Sequence, residues 1–309
     1  MLVLLNPTAG GGKARRRWER VAAEVARRAG PFTLIATHSD DGARQAVAAA
    51  LAAGETTFVA AGGDGTVNLV ASALLAHSTA DARRHIALGA VGLGSSNDFH
   101  KPRRPDAAIH GVPVRLDVAG AVPHDVGRLR YVDGDGQWRC RRWLLNASLG
   151  TTAEGNRRYN VDPAVARLKR LHPDLGMAWA ALTALWQIGP RPMTVATDGE
   201  PAVPLDVTNL AVIKNPHVSG VLRYDSPYDP ASGWFDVHVL NGASRSRRAR
   251  TLAALCRGRF QGLPGTMSWR ARRLRVRTDV PIAVEGDGEI VLTREVEFSL
   301  DQRALWVCA

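Results

Sequence analysis

The chain has 309 residues, of which 45% are hydrophobic, and this is enough to build the cores of two domains. Its 40 basic and 29 acidic residues give a formal net charge of +11, which favours nucleic acid, an anionic membrane surface or another polyanion as partner. No apolar run is long enough for a membrane-spanning helix, and the N-terminus lacks the basic start of a signal peptide. We therefore expect a cytoplasmic protein.

The first third of the chain alternates apolar segments of strand length with helical segments. Strands are predicted at 2–5, 32–37, 57–60 and 86–91, and helices at 14–29, 40–53 and 66–77. Because a β-α-β-α order produces a mainly parallel sheet covered by helices, we predict a three-layer α/β domain. Such a sheet binds its ligand at the carboxyl ends of the strands.

Beyond about residue 112 the pattern changes to short alternating segments separated by Gly, Asp and Pro turns. This pattern is typical of an antiparallel β domain. One of its predicted strands is Arg115–Ala121. Two helices are predicted to interrupt the strands, one at 164–188 and one at about 246–257.

Arginines cluster at two places in the second half of the chain. Arg273, Arg275 and Arg277 share one face of a predicted strand, because alternate residues point to the same side. The second cluster is the segment 245–250. No aromatic residues interleave with these arginines as they do in proteins that bind single-stranded nucleic acid. A peripheral contact with anionic membrane is therefore favoured over nucleic acid, and a solvated arginine-rich surface is the simpler alternative.

The most informative segment is 61–68, Ala-Gly-Gly-Asp-Gly-Thr-Val-Asn, between a predicted strand and a predicted helix. Backbone amides and a helix N-terminus converge at such a turn and bind phosphate, and glycine allows a close approach. Asp64 would repel a bare phosphate and has no obvious role in the fold beyond a helix cap. We therefore expect a divalent cation or a substrate hydroxyl beside it.

Two further Gly-rich loops follow predicted strands. The first, Asn6–Lys13, departs from a P-loop, because Pro7 stands in place of the first glycine and Ala14 in place of the Ser or Thr. The third, 92–99, departs from the dinucleotide pattern because Asn97 takes the position of the last glycine. Both loops predict contacts with phosphate, ribose or adenine, and each could instead be a turn or a helix cap.

The three motifs are Asn-Pro-x-x-Gly, Gly-Gly-Asp-Gly-Thr-x-Asn and Gly-x-Gly-Ser-x-Asn-Asp-Phe, in that order. They resemble the catalytic domain of the diacylglycerol kinase and lipid kinase family, which includes sphingosine and ceramide kinases. Later segments also resemble that family: Asn146–Gly150, Gly176–Pro192, Gly233–Val237 and Asp287–Glu289. The resemblance implies a Rossmann-like N-terminal domain of the NAD kinase and diacylglycerol kinase type and a C-terminal antiparallel β-sandwich. We place the first domain at 1–118, with 293–309 returning to it, and the second at 119–292.

The resemblance implies an ATP-dependent lipid kinase that uses magnesium, and diacylglycerol, which gives phosphatidic acid, is the expected acceptor. The sequence leaves the acceptor open, because a sphingoid base, ceramide, a polyprenol or a head-group-bearing lipid would present the same single hydroxyl. It gives Asp287 the role of general base, with Glu289 beside it and Asp64 as the rival base. Spacing alone does not distinguish this Asp-Gly-Glu from the copy at 198–200. The nucleotide-binding residues implied are Asn6, Thr8, Gly10, Lys13, Gly62, Gly63, Asp64, Gly65, Thr66, Ser95, Asn97 and Asp98.

The same resemblance implies metal ligands. Asp64 and Asp117 would organise the catalytic magnesium, directly or through water. Asp229 is the remaining candidate for a structural magnesium site of the family, because Ser232 replaces the aspartate before Gly233.

Two other functions are weighed against the lipid kinase. A soluble-acceptor kinase of the NAD kinase type is disfavoured by the Asn6-Pro7 loop and the late Asp-Gly-Glu, and a non-catalytic nucleotide or lipid sensor by the intact acids. The predicted partner is a lipid at the inner face of an anionic membrane, with no nucleic acid, and a homodimer stays open. Trp179 and Trp186 are predicted to pack in a core, and the alternative is that their helix lines the lipid entrance.

Overall fold

The computed structural model describes residues 1–102, 108–171 and 173–309. It divides into two compact units: unit 1 comprises Met1–Val126 and Asp301–Ala309, and unit 2 comprises Gly127–Leu300. These boundaries differ from those predicted after residues 118 and 292. The reason is that two long strands, Val122–Val132 and Glu289–Val307, each belong partly to one unit and partly to the other.

Unit 1 is the α/β domain that the sequence predicts. Its elements are β1 (Leu2–Leu5), α1 (Ala9–Gly12), α2 (Ala14–Ala29), β2 (Thr33–Ala36), α3 (Asp40–Ala52), β3 (Thr57–Gly62), α4 (Asp64–His77), α5 (Ala80–Arg83), β4 (Ala87–Gly92), β5 (Ala108–Ile109) and β6 (Val112–Arg115). Strands β2, β1, β3 and β4 lie side by side in that order, all parallel. Their carboxyl ends share one edge, and Val3 and Val59 pack with Trp18 of α2 in the core.

The strand predicted over Arg115–Ala121 is wrong. Strand β6 ends at Arg115, and the chain turns before the next strand, β7 (Val122–Val132). The turn forms because the Asp117 Oδ1 accepts the Gly120 N–H at 3.1 Å, a contact that Asp commonly makes in turns. Asp117 is exposed.

Unit 2 is the predicted antiparallel β domain. Its elements after β7 are β8 (Trp138–Trp143), β9 (Asn146–Gly150), α6 (Thr151–Val161), α7 (Pro163–Leu171), α8 (Pro173–Gln187), β10 (Arg191–Thr197), β11 (Val203–Ile213), β12 (His217–Val218), β13 (Leu222–Arg223), β14 (Phe235–Asn241), α9 (Arg245–Leu255), β15 (Thr266–Ala271), β16 (Arg273–Gly286) and β17 (Glu289–Val307). Trp143 and Phe235 meet edge to face in its core, with ring centroids 6.4 Å apart. Strand β9 pairs with both β11 and β16, which places it at the centre of the unit.

The last residues of the chain return to the parallel sheet of unit 1. Within that unit Trp306 and Val307, at the end of β17, pair in parallel with Ala87 and Leu88 of β4.

The single helix predicted at 164–188 is two helices, α7 and α8, with α8 beginning at Pro173. Proline suits the first position of a helix and interrupts its interior, because it has no N–H and its ring fixes φ.

The core packing predicted for the two tryptophans is also wrong. Trp179 is 44% exposed and Trp186 is 49% exposed, and Leu182 on the same face is 54% exposed. Within the described ranges, no helix has the length and apolarity needed to cross a membrane.

Candidate active site

In unit 1 the three Gly-rich loops meet at the carboxyl edge of the parallel sheet. In the first loop Gly10 has φ +59°, and a Cβ there would lie 2.6 Å from the Leu93 carbonyl oxygen of the third loop. A Cβ on Gly94 would lie 2.5 Å from the Cα of Gly63 in the second loop. The loops therefore touch backbone to backbone, a contact that only glycine permits at Gly10 and Gly94.

The carboxylate of Asp64 joins the second loop to the third. Its Oδ2 accepts the Asp98 N–H at 3.1 Å, and its Oδ1 accepts the Phe99 N–H at 2.9 Å. This corrects the expectation that Asp64 has no obvious role in the fold. Burial raises the pKa of Asp64 above its usual range, while the two backbone hydrogen bonds oppose the shift.

Asn6 joins the first loop to the second. Its Nδ2 donates to the Thr66 Oγ1 at 3.2 Å, and its Oδ1 accepts the Thr8 N–H at 3.1 Å and hydroxyl at 2.7 Å. The polar atoms of these predicted nucleotide-binding side chains thus also stabilise the loop that carries them.

Asn97 maintains the shape of the third loop. Its φ is +49°, a conformation that Asn adopts more readily than other non-glycine residues, which explains Asn at the glycine position. Its Oδ1 accepts the Gly94 N–H at 3.0 Å, and its Nδ2 donates to the Gly92 and Gly94 carbonyls at 3.2 Å. The predicted contact of Asn97 with nucleotide thus competes with bonds inside its own loop.

The surface of the joined loops carries the groups that remain available to a ligand. Lys13, Ser95 and Gly65 are exposed. Residues 10–12 of α1 are not helical, since their successive φ values are 59°, 68° and 83°. They lie between Thr8 and Lys13, which are both right-handed, and turns that combine right- and left-handed backbone make concavities that attract anions. The joined loops thus present amides, a hydroxyl and an ammonium group to an anionic ligand.

Arg17 also reaches this site, and sequence reasoning missed it. Its Nη1 donates to the Leu93 carbonyl at 3.2 Å and the Gly94 carbonyl at 3.1 Å. The available signal was its position four residues after Lys13, on the same helix face.

In unit 2, Asp287 lies at the turn between β16 and β17, with φ +48°. Its Oδ2 accepts the Leu144 N–H at 2.5 Å, and its Oδ1 accepts the Leu145 and Asn146 N–H groups at 2.9 and 3.2 Å. Burial raises the pKa of Asp287 to about 7, and the three backbone hydrogen bonds oppose the shift. Its carboxyl group therefore gains and loses a proton near neutral pH.

Asp198, in the other Asp-Gly-Glu copy, has the same turn geometry in a different environment. Its φ is +51°, and its carboxylate accepts the Arg272 and Arg273 N–H groups at 2.9 and 2.7 Å. Asp198 is exposed, however, whereas Asp287 is half-buried and burial raises the pKa of its carboxyl group. Burial, which the sequence does not show, distinguishes the two copies.

Glu289, predicted as the neighbour of Asp287, is exposed and forms an ion pair with Arg141 at 2.6 Å. Glu285 is a second buried acid close to Asp287 in the chain, and the sequence analysis did not predict it. It is buried, accepts the Ser148 hydroxyl at 2.6 Å and the Gly288 N–H at 2.7 Å, and burial raises its pKa. Its position two residues before Asp287, near the end of β16, was the available signal.

Unit 2 contains a pocket whose lining is mainly apolar. Its polar lining residues include Asn146, whose N–H binds Asp287, and Ser148, whose hydroxyl binds Glu285. Its apolar lining residues include Ile213, Leu240, Leu252, Leu255 and Phe260. Leu185 of α8 also reaches the pocket, while Trp179 and Trp186 of the same helix point to the surface.

The predicted metal ligands do not form a preformed site. Asp117 and Asp229 each use Oδ1 inside a turn, to accept the Gly120 N–H at 3.1 Å and the Ala231 N–H at 3.0 Å. In the described part of the chain, no three His, Cys, Asp or Glu side chains gather in a metal-binding group.

Comparison with known families matches both halves of the chain. Residues 1–112 match the diacylglycerol kinase catalytic domain, and residues 151–309 match the YegS C-terminal NAD kinase beta sandwich-like domain. A Stenotrophomonas maltophilia protein named "Probable lipid kinase YegS-like" is 30% identical over 84% of this chain and 80% of its own length. A diacylglycerol kinase of Mycobacterium tuberculosis is 25% identical over 98% of this chain and 93% of its own.

Solved structures show the same fold. A diacylglycerol kinase of Bacillus anthracis superposes with a TM-score of 0.67 at 14% identity, covering 99% of this chain and 95% of that one. Yeast NADH kinase complexed with NADH superposes with a TM-score of 0.53 at 10% identity, covering 100% and 82%. The predicted NAD kinase-like α/β domain and β-sandwich are thereby confirmed. The chain belongs to the diacylglycerol kinase and YegS-like lipid kinase family, and it is a kinase whose family membership implies ATP as the phosphoryl donor.

Proposed function

We propose that this kinase transfers the γ-phosphate of MgATP to a lipid hydroxyl, with diacylglycerol as acceptor and phosphatidic acid as product. The observation that carries the proposal is the pocket of unit 2. It is lined mainly by aliphatic and aromatic side chains, and its lining includes Asn146, whose backbone N–H binds Asp287. A glyceride combines one hydroxyl with long apolar chains, and a mainly apolar pocket with a few polar groups suits such a ligand.

Asp287 is the proposed general base. A carboxylate has about four lone-pair sites, and three of those on Asp287 accept backbone N–H groups. One site on Oδ2 is left for the acceptor hydroxyl. As the hydroxyl oxygen attacks the γ-phosphorus, its proton passes to that oxygen of Asp287 and the bond from phosphorus to the ADP oxygen breaks.

The joined loops of unit 1 are the proposed nucleotide site. Phosphoryl transfer needs positioning and charge neutralisation more than covalent chemistry. The left-handed glycines and Lys13 would contact the phosphates, and Ser95 would contact the nucleotide from the third loop. Magnesium commonly binds one or two carboxylates together with substrate phosphates and keeps several waters. Asp64 and Asp117 would hold it, directly or through water, and the ion would neutralise phosphate charge.

The exposed face of α8 is the proposed membrane contact. Tryptophan is favoured at membrane interfaces, where its ring is amphipathic, and Trp179, Leu182 and Trp186 are all exposed on this helix. Near the end of α8, the Arg245 Nε donates to the Trp186 carbonyl at 3.2 Å, so α9 begins beside this face.

Charge supports the same surface. Helix α9 begins with Arg-Ser-Arg-Arg-Ala-Arg and contains no acidic residue. Positive charges in a first turn are unfavourable for the helix itself, because they oppose its dipole, so they do not serve to stabilise the helix. The positive charge on the predicted basic face of β16 is instead neutralised by nearby acids. Arg273 pairs with Glu297 at 3.7 Å and Arg277 with Glu295 at 3.0 Å. Arg245 and Arg250 of α9, both exposed, are thus the better partners for anionic lipid, while Arg248 is buried. On this proposal the protein acts in the cytoplasm, at the inner face of the membrane.

Incubation with labelled ATP, magnesium and a total bacterial lipid extract tests the activity. The expected result is one labelled lipid that co-migrates with phosphatidic acid and increases when diacylglycerol is added. A labelled product with another mobility would keep the lipid kinase and replace the acceptor. Labelled NAD in a parallel reaction, with no labelled lipid, would overturn the proposal.

The rate is expected to depend on pH with one ionisation near neutrality. Asp287 accepts a proton only when it is ionised, and its pKa is about 7, so kcat/KM should fall about tenfold per pH unit below that value and level off above it. A profile measured at saturating MgATP checks this. A rate that stays constant down to about pH 5 would point to a base of ordinary carboxyl pKa.

Replacing both Trp179 and Trp186 by serine is expected to weaken binding to vesicles that contain phosphatidylglycerol by about tenfold or more. Co-sedimentation measures the binding. Trp138→Ser is the matched control, since Trp138 is similarly exposed at 41% on β8. An equal loss in the control, or full binding by the double variant, would contradict the assignment of α8 to the membrane.

A further inference from the structure

The segment Asp229–Trp234 precedes β14 and is where the family resemblance implies a structural magnesium ion. The residues of this chain do not fit that ion. Ser232 stands in place of the expected aspartate, and the Oδ1 of Asp229 accepts the Ala231 N–H at 3.0 Å inside its own turn. In the part of the chain that the structure describes, acidic and histidine side chains form no metal-binding group of three.

A lysine ammonium group lies at this position instead. Lys214 follows the end of β11, and its side chain is buried, with 6% of the residue exposed. Its Nζ donates to the Asp229 carbonyl at 3.1 Å, the Ser232 hydroxyl at 3.0 Å and the Trp234 carbonyl at 2.9 Å. An ammonium group has three N–H donors, and these three oxygens match them.

The three oxygens are neutral, which suits a single positive charge better than two. Magnesium and calcium bind oxygen ligands that usually include carboxylates, which offset the charge of the ion. A divalent ion at the same oxygens would also be repelled by the ammonium group about 3 Å away. The burial of Lys214 is tolerable because its charge is fully hydrogen-bonded.

We propose that the Lys214 ammonium replaces the structural divalent ion, so that unit 2 folds around an internal cation and needs no metal. The lysine holds the segment 229–234 against the end of β11, where Ile213 pairs with Asp236 of β14. It thereby fixes the start of the strand that carries the core residue Phe235. Metal would then be required only together with the nucleotide, which separates this inference from the proposed phosphoryl transfer.

Thermal unfolding of the nucleotide-free protein tests the proposal. The melting temperature of the wild type is expected to be the same in EDTA and in magnesium or calcium. Lys214→Met keeps the length of the side chain without its charge and leaves buried oxygens unpaired, so its melting temperature should fall by roughly 5–10 °C, with no recovery in magnesium or calcium. Lys13→Met, at an exposed lysine, is the control and should unfold like the wild type.

A reconstructed site gives the sharper test. Combining Lys214→Ala with Ser232→Asp removes the ammonium and restores a carboxylate, so this double variant should be stabilised by magnesium or calcium and destabilised by EDTA. Ser232→Asp alone should pair with Lys214 and stay insensitive to metal. A wild type whose melting temperature falls in EDTA and recovers in magnesium would overturn the proposal, whatever the variants do.

Discussion

Replacing Asp287 by asparagine is expected to lower kcat/KM for phosphoryl transfer by about two to four orders of magnitude, the usual contribution of a general base. Asparagine tolerates the left-handed backbone at this turn, where φ is +48°. It also keeps an oxygen that can accept the Leu145 and Asn146 N–H groups. The loss of the bond from Leu144 should cost about 1–3 kcal/mol of stability. Steady-state rates with dispersed diacylglycerol, together with thermal unfolding, measure both effects.

Asp198→Asn is the matched control, because Asp198 has the same turn conformation and also accepts two backbone N–H groups, but is exposed. We expect it to leave the rate unchanged. If instead Asp287→Asn keeps its rate while Asp64→Asn is inactive, the base is Asp64 and Asp287 only stabilises the β16–β17 turn.

Replacing Gly94 by alanine is expected to weaken ATP binding by about tenfold to a hundredfold. The new Cβ would lie 2.5 Å from the Gly63 Cα, so the second and third loops must separate, and overpacking of this kind costs about 1–3 kcal/mol. The amides of the two loops would then no longer meet the phosphates together. Calorimetric titration with MgATP measures the affinity, and thermal unfolding should show a lower melting temperature.

Gly65→Ala, in the same site, is the control. It distinguishes the effect of a Cβ that collides with a neighbouring loop from the effect of replacing a glycine as such. A Cβ at Gly65 meets no atom within 4 Å, and alanine favours helix more than glycine in the first turn of α4. Its melting temperature should be equal to or slightly above that of the wild type. Equal melting temperatures for Gly94→Ala and Gly65→Ala would show that the two loops have room to separate.

The sequence determined much of unit 1. Alternating apolar and helical segments predicted its parallel sheet, and Gly-rich motifs after successive strands predicted loops at one sheet edge. These are local patterns, since each depends on residues close together in the chain. The family resemblance depends on the same motifs, and both matched family regions agree with it.

The prediction of the helix at 164–188 failed for a local reason that was visible in the sequence. Pro173 interrupts the helical pattern and begins α8. The apolar residues on both sides of it nevertheless have helical spacing, and this spacing favoured one continuous helix. The two tryptophans of α8 illustrate the opposite case. Their spacing shows that they share a helix face, but periodicity does not tell whether that face meets the core or the solvent.

Local patterns in the amino-acid sequence were enough to show which chemical groups the protein has and on which loops they lie. Three-dimensional packing was needed to show which of the two Asp-Gly-Glu turns is the more buried, which amides the carboxylate of Asp64 accepts, and that Lys214 meets the oxygens of 229–234. This is because burial and hydrogen bonding depend on neighbours far away in the chain. Leu144, for example, donates to Asp287 across 143 positions, and no local pattern predicts such a pair.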